Sequence, residues 1–196
     1  MSIRPPLRQR KAQRARDQIV AAAFELFAER GFADVTVADI AERAEVGRTT
    51  FFRYFGDKQE VVFSEEQAIM DDWVTRHRAL PPVATPDDTL AQTREFALVL
   101  CREMTADREH FVQHERLLEA NPELNDRAMR KYQRLVEAMS ENLRAKGTPE
   151  PTATLVPQLA LACYRTARRV AGLDPVALPA ALDAAFDHLT ALSPTR

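Results

Sequence analysis

Apolar side chains in the first third of the chain return every three or four residues, and two short breaks divide the pattern. Ile19, Val20, Ala23, Phe24, Phe27 and Ala28 form one stripe, which predicts a helix from Arg10 to Arg30 closed by Gly31 in the left-handed conformation. Thr36 with Asp39 three residues on spells a capping box, flanked by Val35 and Ile40 as a hydrophobic staple, so a second helix starts at Val37. Its buried face is Val37, Ile40, Ala41 and Ala44, leaving Asp39, Glu42 and Arg43 in water. Glu45-Val46-Gly47 breaks the period, and Gly47 serves as N-cap of a third helix, Arg48 to Phe55. On it Phe51 and Phe55 lie one turn apart on one side, while Arg48, Thr49, Phe52 and Arg53 point elsewhere.

Asp57 caps a long helix, Lys58 to Leu80, carrying Val61, Val62, Phe63, Ile69, Met70, Trp73 and Val74. The proline-rich run from Leu80 to Asp88 is a loop. Helices follow from Asp88 to Thr105, Asp107 to Ala120, Pro122 to Lys146, Pro151 to Val170 and Pro175 to Leu192, each bounded by a proline, glycine or capping residue, Ser193-Pro194 being the last stop. With no alternating strand pattern anywhere, the fold class is all-α: an N-terminal three-helix domain over residues 1 to 57 and a helical body over residues 58 to 196.

Two short helices around a glycine turn, the second with basic and hydroxyl groups outward, describe a helix-turn-helix whose second helix enters a major groove. Arg and Thr suit base edges, and hydroxyls and Lys suit the phosphates that fix register. The competing reading is a pair of surface helices with solvated charges. The run Thr36-Val37-Ala38-Asp39-Ile40-Ala41, with Ala44, Val46, Thr50, Phe51, Arg53-Tyr54-Phe55 and Lys58, resembles the N-terminal domain of TetR-family transcriptional repressors, and the resemblance extends back through AAAFELFAERGF. It implies that Thr36, Arg48, Thr49, Thr50, Phe52, Arg53, Tyr54 and Lys58 face DNA. Three positions depart from the family pattern: Glu45 stands where glycine is usual, Gly47 where serine is frequent and Thr49 where a small residue is common. Phe52 departs as well, replacing a phosphate-binding tyrosine, so it is expected to meet sugar or thymine methyl groups.

Charge sharpens this picture. The net charge is -2, yet residues 1 to 16 hold six basic groups and no acid, so that the first 62 residues net +2 and the remainder -4. A basic end beside a helix-turn-helix fits nucleic acid, and residues 1 to 9 are read as an extra DNA-contacting arm or a tail. No apolar run approaches the ~20 residues of a membrane span and the N-terminus lacks a signal peptide, so a cytoplasmic location is expected. Cys101 and Cys163, without a CxxC, are expected to be free buried thiols. No metal or other cofactor is expected: His110 and His114, at i and i+4, lack further ligands nearby and are read as a surface pair.

The middle helices hold many large side chains. Trp73, Phe96, Leu100, Met104, Phe111, His114, Leu118, Tyr132, Val136 and Tyr164 are the candidate ligand-binding residues, with Val99 and Met139 among the same group and Arg168 as a further polar handle. A solid core is the alternative. RLLEANPELNDRAMRKY together with FFRYF is similar to regulators that accept acyl-coenzyme-A-like ligands. The resemblance also implies a homodimer through the last two long helices, where Leu155, Leu159, Ala162, Cys163, Thr166 and Val170 share one side of the first, and Ala177, Ala181, Leu182, Ala185, Phe186 and Leu189 one side of the second.

Three functions compete. The leading one is a repressor released from a palindromic operator by a small apolar or acyl-CoA-like effector, with the helix from Lys58 to Leu80 carrying the signal. The second is a dimeric DNA-binding protein with no small-molecule effector. The third, an enzyme of helical fold, lacks any catalytic constellation: GxSxG, GxGxxG, a Walker loop and HExxH are all missing.

Overall fold

The computed structural model describes residues 7–192. Among them the chain forms ten helices and no strand: α1 (Leu7–Arg30), α2 (Val37–Arg43), α3 (Arg48–Tyr54), α4 (Lys58–Val62), α5 (Ser64–Ala79), α6 (Pro86–Met104), α7 (Arg108–Ala120), α8 (Pro122–Ala145), α9 (Glu150–Ala171) and α10 (Ala177–Ala191). The first six residues of the expected basic arm and the Ser193-Pro194 stop lie outside the described residues. The chain gathers into two compact units, Met1–Glu65 and Glu66–Arg196. The division expected after residue 57 would separate α4 from α1, against which it packs.

In the first unit Gly31 closes α1 at φ +80, its N–H donating to the carbonyl of Phe27 at 3.0 Å. Ile19, Val20, Ala23, Phe24 and Phe27 are buried as expected, but Ala28 is exposed, and Ala22 and Leu26 complete the stripe instead. The capping box at Thr36 is formed, and both members of the staple, Val35 and Ile40, are buried. Arg43 leaves α2 to bridge Glu25 and Glu29 on α1, with its NH1 and NH2 groups 3.0 and 2.9 Å from the two oxygens of Glu29. Phe51 and Phe55 are both buried with ring centroids 5.7 Å apart, each ring contributing about 2–3 kcal/mol by leaving water.

The expected single helix from Lys58 to Leu80 is two helices. Phe63, its side chain fully buried, departs from helical geometry at φ -101 and ψ 9; there α4 ends after five residues, and α5 begins at Ser64. Neither proline nor glycine marks the break.

In the second unit α8 shows the clearest periodicity, burying Leu124, Ala128, Tyr132, Val136, Met139 and Leu143 at steps of three and four. The α6 helix starts two residues before its expected Asp88, because Thr85 is the N-cap and Pro86 takes the first helical position, where a missing N–H costs nothing. Arg94 on α6 ties this helix to α10, reaching Asp183 at 2.5 Å and Asp187 at 2.7 Å. One apolar cluster joins Cys101, Phe111, Cys163, Ala167, Leu178, Leu182 and Phe186; a smaller one joins Trp73, Phe96 and Met139. The stripe assigned to a dimer on α10 therefore needs correction, since Leu182, Ala185 and Phe186 close the core of their own chain. On α9 Cys163 also turns inward, whereas Leu155, Ala162, Thr166 and Val170 are exposed.

Candidate nucleic-acid interface and apolar cavity

The turn between α2 and α3 is a Schellman closure. The N–H of Val46 donates to the carbonyl of Ala41 at 2.9 Å and that of Glu45 to Glu42 at 3.0 Å, with Glu45 at φ +53, the one non-glycine at positive φ among the described residues. The position where the TetR pattern has glycine thus keeps the glycine conformation while holding a glutamate. Gly47 follows as N-cap of α3 with no side-chain cap of its own.

This turn presents Arg48, Thr49, Phe52 and Arg53 outward, all exposed, while Phe51 anchors the helix beneath them. Phe52 is 55% exposed and meets the Phe51 ring edge-on at 5.5 Å. Thr50 and Tyr54 are half-buried, and the Arg53 guanidinium stacks 5.0 Å from the Tyr54 ring centroid. Thr36 is exposed, but its hydroxyl is engaged by Asp39, donating to Oδ2 at 2.5 Å and accepting from the Asp39 N–H at 3.2 Å. That side-chain hydrogen bond from Thr36 holds the Asp39 carboxyl below its usual range.

Lys58 is where the structure departs most from a phosphate contact. Its ammonium donates to the carbonyls of Phe32, Ala33 and Val35 at 2.7, 3.2 and 2.9 Å, which uses all three N–H groups inside the unit. The start of α4 is likewise occupied: Asp57 accepts from the Glu60 N–H and Glu60 from the Gly56 N–H, both at 2.7 Å. Two carboxylates therefore occupy this helix start, where the helix dipole would otherwise favour an anion. Arg16, counted with the basic end, is also internal, donating to the Ser64 carbonyl at 3.1 Å and lying over the Phe55 ring.

The second unit holds an apolar cavity of about 70 Å³, room for several waters or for part of a small hydrophobic molecule. Six of the expected ligand residues line it: Phe96, Leu100, Met104, Tyr132, Val136 and Tyr164. Four do not. Trp73 is buried behind Phe96, with ring centroids 4.1 Å apart, and donates from Nε1 to Glu103 at 2.6 Å. Phe111 and Leu118 fill solid core, and His114 stands in a separate buried polar cluster. Val99 is exposed. The residues missed are mostly small or flexible, including Met70, Ala97, Cys101, Pro157 and Ala160, and Met70 shows that α5 supplies part of the wall.

His114 is not the surface histidine expected. Its Nε2 lies 3.8 Å from Glu66 and its Nδ1 3.4 Å from Glu115, and Arg168 binds Glu115 from the other side. Burial works to raise the Glu115 carboxyl, but His114 and Arg168 outweigh it and hold it below the usual range. Tyr132 joins this cluster to the cavity, donating to Glu66 at 2.7 Å while its ring forms part of the wall. The Cys101 thiol, also in the wall, is pushed up to about 11 by burial, and both cysteines are free and buried.

Among the described residues no helix is long and apolar enough to cross a membrane. The family model for bacterial regulatory proteins of the tetR family matches residues 19–64. The transcriptional regulator TcmR of Streptomyces glaucescens is 30% identical over 199 residues, an alignment covering 94% of this chain and 87% of that protein. Thermus thermophilus FadR, a TetR-family repressor solved in complex with lauroyl-CoA, superposes with a TM-score of 0.55 at 25% identity, covering 92% of this chain and 96% of that one. The fatty acid degradation regulator FadR from Bacillus halodurans shares the fold with a TM-score of 0.61 at 22% identity, covering 93% and 97% of the two chains. The chain belongs to the TetR family of transcriptional regulators, DNA-binding proteins and not enzymes, with α2 and α3 as its helix-turn-helix.

Proposed function

We propose that this protein is a cytoplasmic repressor released from a palindromic operator when an apolar effector occupies the cavity of the second unit. The observation that carries the reading is that one chain holds both an outward-facing α3, with its base-reading side chains exposed, and an apolar cavity with an aromatic and methionine-rich wall. Arg48, Thr49 and Phe52 read base edges; Thr50, Arg53 and Tyr54 hold backbone phosphate and sugar, while Thr36, whose hydroxyl and backbone N–H both donate to Asp39, stays the cap of α2. Lys58 leaves this set and becomes the residue that positions the turn before α2.

The operator is palindromic because the working form is a homodimer. Support for this is the apolar surface left on the outer side of α9 and at the ends of α10, where Leu155, Val170, Val176 and Leu192 are 56, 75, 59 and 81% exposed. The effector acts through α4 and α5, the covalent link between the units, since Met70 on α5 is part of the cavity wall. It weakens DNA binding only by its preference for the non-binding conformation. The lauroyl-CoA complex of Thermus thermophilus FadR supports an effector with a substantial apolar part.

A thermal-shift screen across lipophilic ligands, acyl-coenzyme-A species included, tests the reading when followed by operator release. A ligand that raises the melting temperature and dissociates a footprinted palindrome supports it. A protein that binds its operator and responds to no ligand would instead be a dimeric DNA-binding protein without effector. In the same footprint Arg48→Ala changes which sequence is preferred; a uniform loss across sequences would remove Arg48 from base reading.

A further inference from the structure

The hold of α5 on the rest of the second unit changes along its length. From Trp73 onward it is pinned at several points. Trp73 and Arg76 both bond Glu103 on α6, Asn142 on α8 donates to the Val74 carbonyl and accepts from Arg78, and Lys146 donates to the His77 carbonyl. In the first turn Glu66 and Gln67 are held from α8, by the Tyr132 hydroxyl at 2.7 Å and the Lys131 ammonium at 2.6 Å. Of the hydrogen bonds that Glu66 through Ala79 make with α6 and α8, the one from Tyr132 is the one made by a residue of the cavity wall.

That bond couples the ring to the helix. Tyr132 and Glu66 are 3 and 8% exposed. Burial, with the charge of Glu66 beside it, holds the Tyr132 hydroxyl well above its usual range, so it stays a donor. Its proton goes to Oε1 of Glu66, while Oε2 is buried with no hydrogen-bond partner among the described residues, 3.8 Å from Nε2 of His114. A ligand that shifts the ring either draws Glu66 along or leaves a buried carboxylate without its donor, and the second outcome is the costlier. Met70, one turn on from Glu66, is in the same wall, so a ligand meets α5 both directly and through Tyr132.

We propose that Tyr132 is the positioning residue through which the cavity acts on α5: a ligand displaces the Tyr132 ring, the hydroxyl carries Glu66 with it, and the first turn of α5 pivots on the pinned part that begins at Trp73. The turn that moves is the one by which α5 continues from α4. This rests on the cavity being the effector site and adds to it the bond that transmits occupancy.

The test measures operator affinity without ligand and at saturating ligand, the ratio being the coupling. The operator is a palindrome selected from random duplex DNA. The probes are naphthalene and lauroyl-CoA, one compact and one elongated apolar body, each brought to saturation for every variant so that ligand affinity does not enter the ratio. In the full-length wild-type protein at least one probe is expected to weaken operator binding about ten- to a hundredfold, the scale of one hydrogen bond to a charged group. Tyr132→Phe keeps the ring without the hydroxyl and should bring the ratio below about threefold. Should that variant fail to fold, Tyr132→Phe combined with Glu66→Leu removes both partners, strands no carboxylate, and carries the same expectation. Glu66→Gln still offers an acceptor and should keep a ratio above that of Tyr132→Phe. Glu103→Gln loosens α5 elsewhere and should leave the ratio within about threefold of wild type. The wild-type ratio retained without the Tyr132 hydroxyl overturns this inference while the cavity remains the effector site. An equal loss in Glu103→Gln would make the effect a general loosening of α5 and overturn it too. If neither probe binds, or a bound probe leaves wild-type operator affinity unchanged, the effector reading and this inference fall together.

Discussion

The Lys58 ammonium donates to the carbonyl of Phe32 at 2.7 Å and lies 4.4 Å from the centroid of the same residue's ring, so one cation is held by both the backbone and the side chain of Phe32. With its other two bonds to Ala33 and Val35, it fixes the link between α1 and α2. Lys58→Met keeps most of the apolar stem but leaves three carbonyls without their donor, and it should lower stability by about 2 kcal/mol in urea denaturation. The salt dependence of operator binding should keep its slope. If stability were unchanged and the slope fell by about one, Lys58 would be a phosphate contact after all.

Glu45 offers a gain in stability. An L-residue in the left-handed region pays about 1–2 kcal/mol for crowding its Cβ, and glycine avoids this while paying roughly 0.5–1 kcal/mol of backbone entropy. Since Glu45 is exposed and at φ +53, Glu45→Gly should stabilise the chain by about 0.5–1 kcal/mol, read as a rise of roughly 2 °C in melting temperature. Glu45→Ala retains the Cβ and should show no such rise. Equal effects from the two variants would mean that the glutamate side chain, and not the backbone, is responsible.

The contrast between these two residues shows what the sequence could reveal. The α2–α3 pair was legible because its signals are local: Thr36 caps with Asp39 three residues away, and Phe51 and Phe55 are one turn apart. The bonds of Lys58 span more than twenty residues, and those of Tyr132 with Glu66 and Arg168 with Glu115 more than fifty, so nothing in a local pattern announces them. Glu66, His77 and Glu115 are buried with partners that come from other helices, Tyr132, Asn142 and Arg168, which no local spacing signals. The break at Phe63 is likewise unannounced in the local sequence, where neither proline nor glycine stands. In the cavity a search for bulk found Phe96, Leu100, Met104, Tyr132, Val136 and Tyr164 but not Ala97 and Ala160, which shape the void by what they leave unfilled.

At Phe52 exposure settles the fold side of the question. A ring 55% exposed has room for a para hydroxyl in water, so Phe52→Tyr should change the melting temperature by less than about 1 °C. If the outer face of α3 lies in the major groove, the new hydroxyl gains a phosphate bond and operator affinity rises by up to ~1 kcal/mol, or about fivefold. Electrophoretic mobility shift at two salt concentrations reads this directly. Affinity unchanged at both salts would place Phe52 outside the interface, and a clear loss would mean that the bare ring edge is itself a base contact.

Stability should depend on pH through His77. It is 1% exposed on α5, faces the Phe96 ring at 4.9 Å and sits with Nδ1 3.4 Å from the amide nitrogen of Asn142. Burial, with a smaller push from the Lys146 ammonium, holds its pKa down to about 4, against 6.5 for the free side chain. Between these values the unfolded chain takes up a proton that the folded chain refuses, so stability rises with pH across that window. His77 therefore exerts no penalty above about pH 6.5, costs progressively more as pH falls to about 4, and adds nothing further below that. The full span is roughly 3 kcal/mol. Asp39, held down by Thr36, and Glu103, held down by Arg76, keep their charges into more acid solution, so the upper part of the window belongs to the histidine. Urea denaturation at pH 7.5, 6.0 and 5.0 should show the decline, and His77→Gln, which keeps an acceptor for Asn142 but cannot titrate, should flatten it. A decline of the same size in His77→Gln would assign the acid sensitivity to another group and return His77 to the role of a core side chain that happens to be polar.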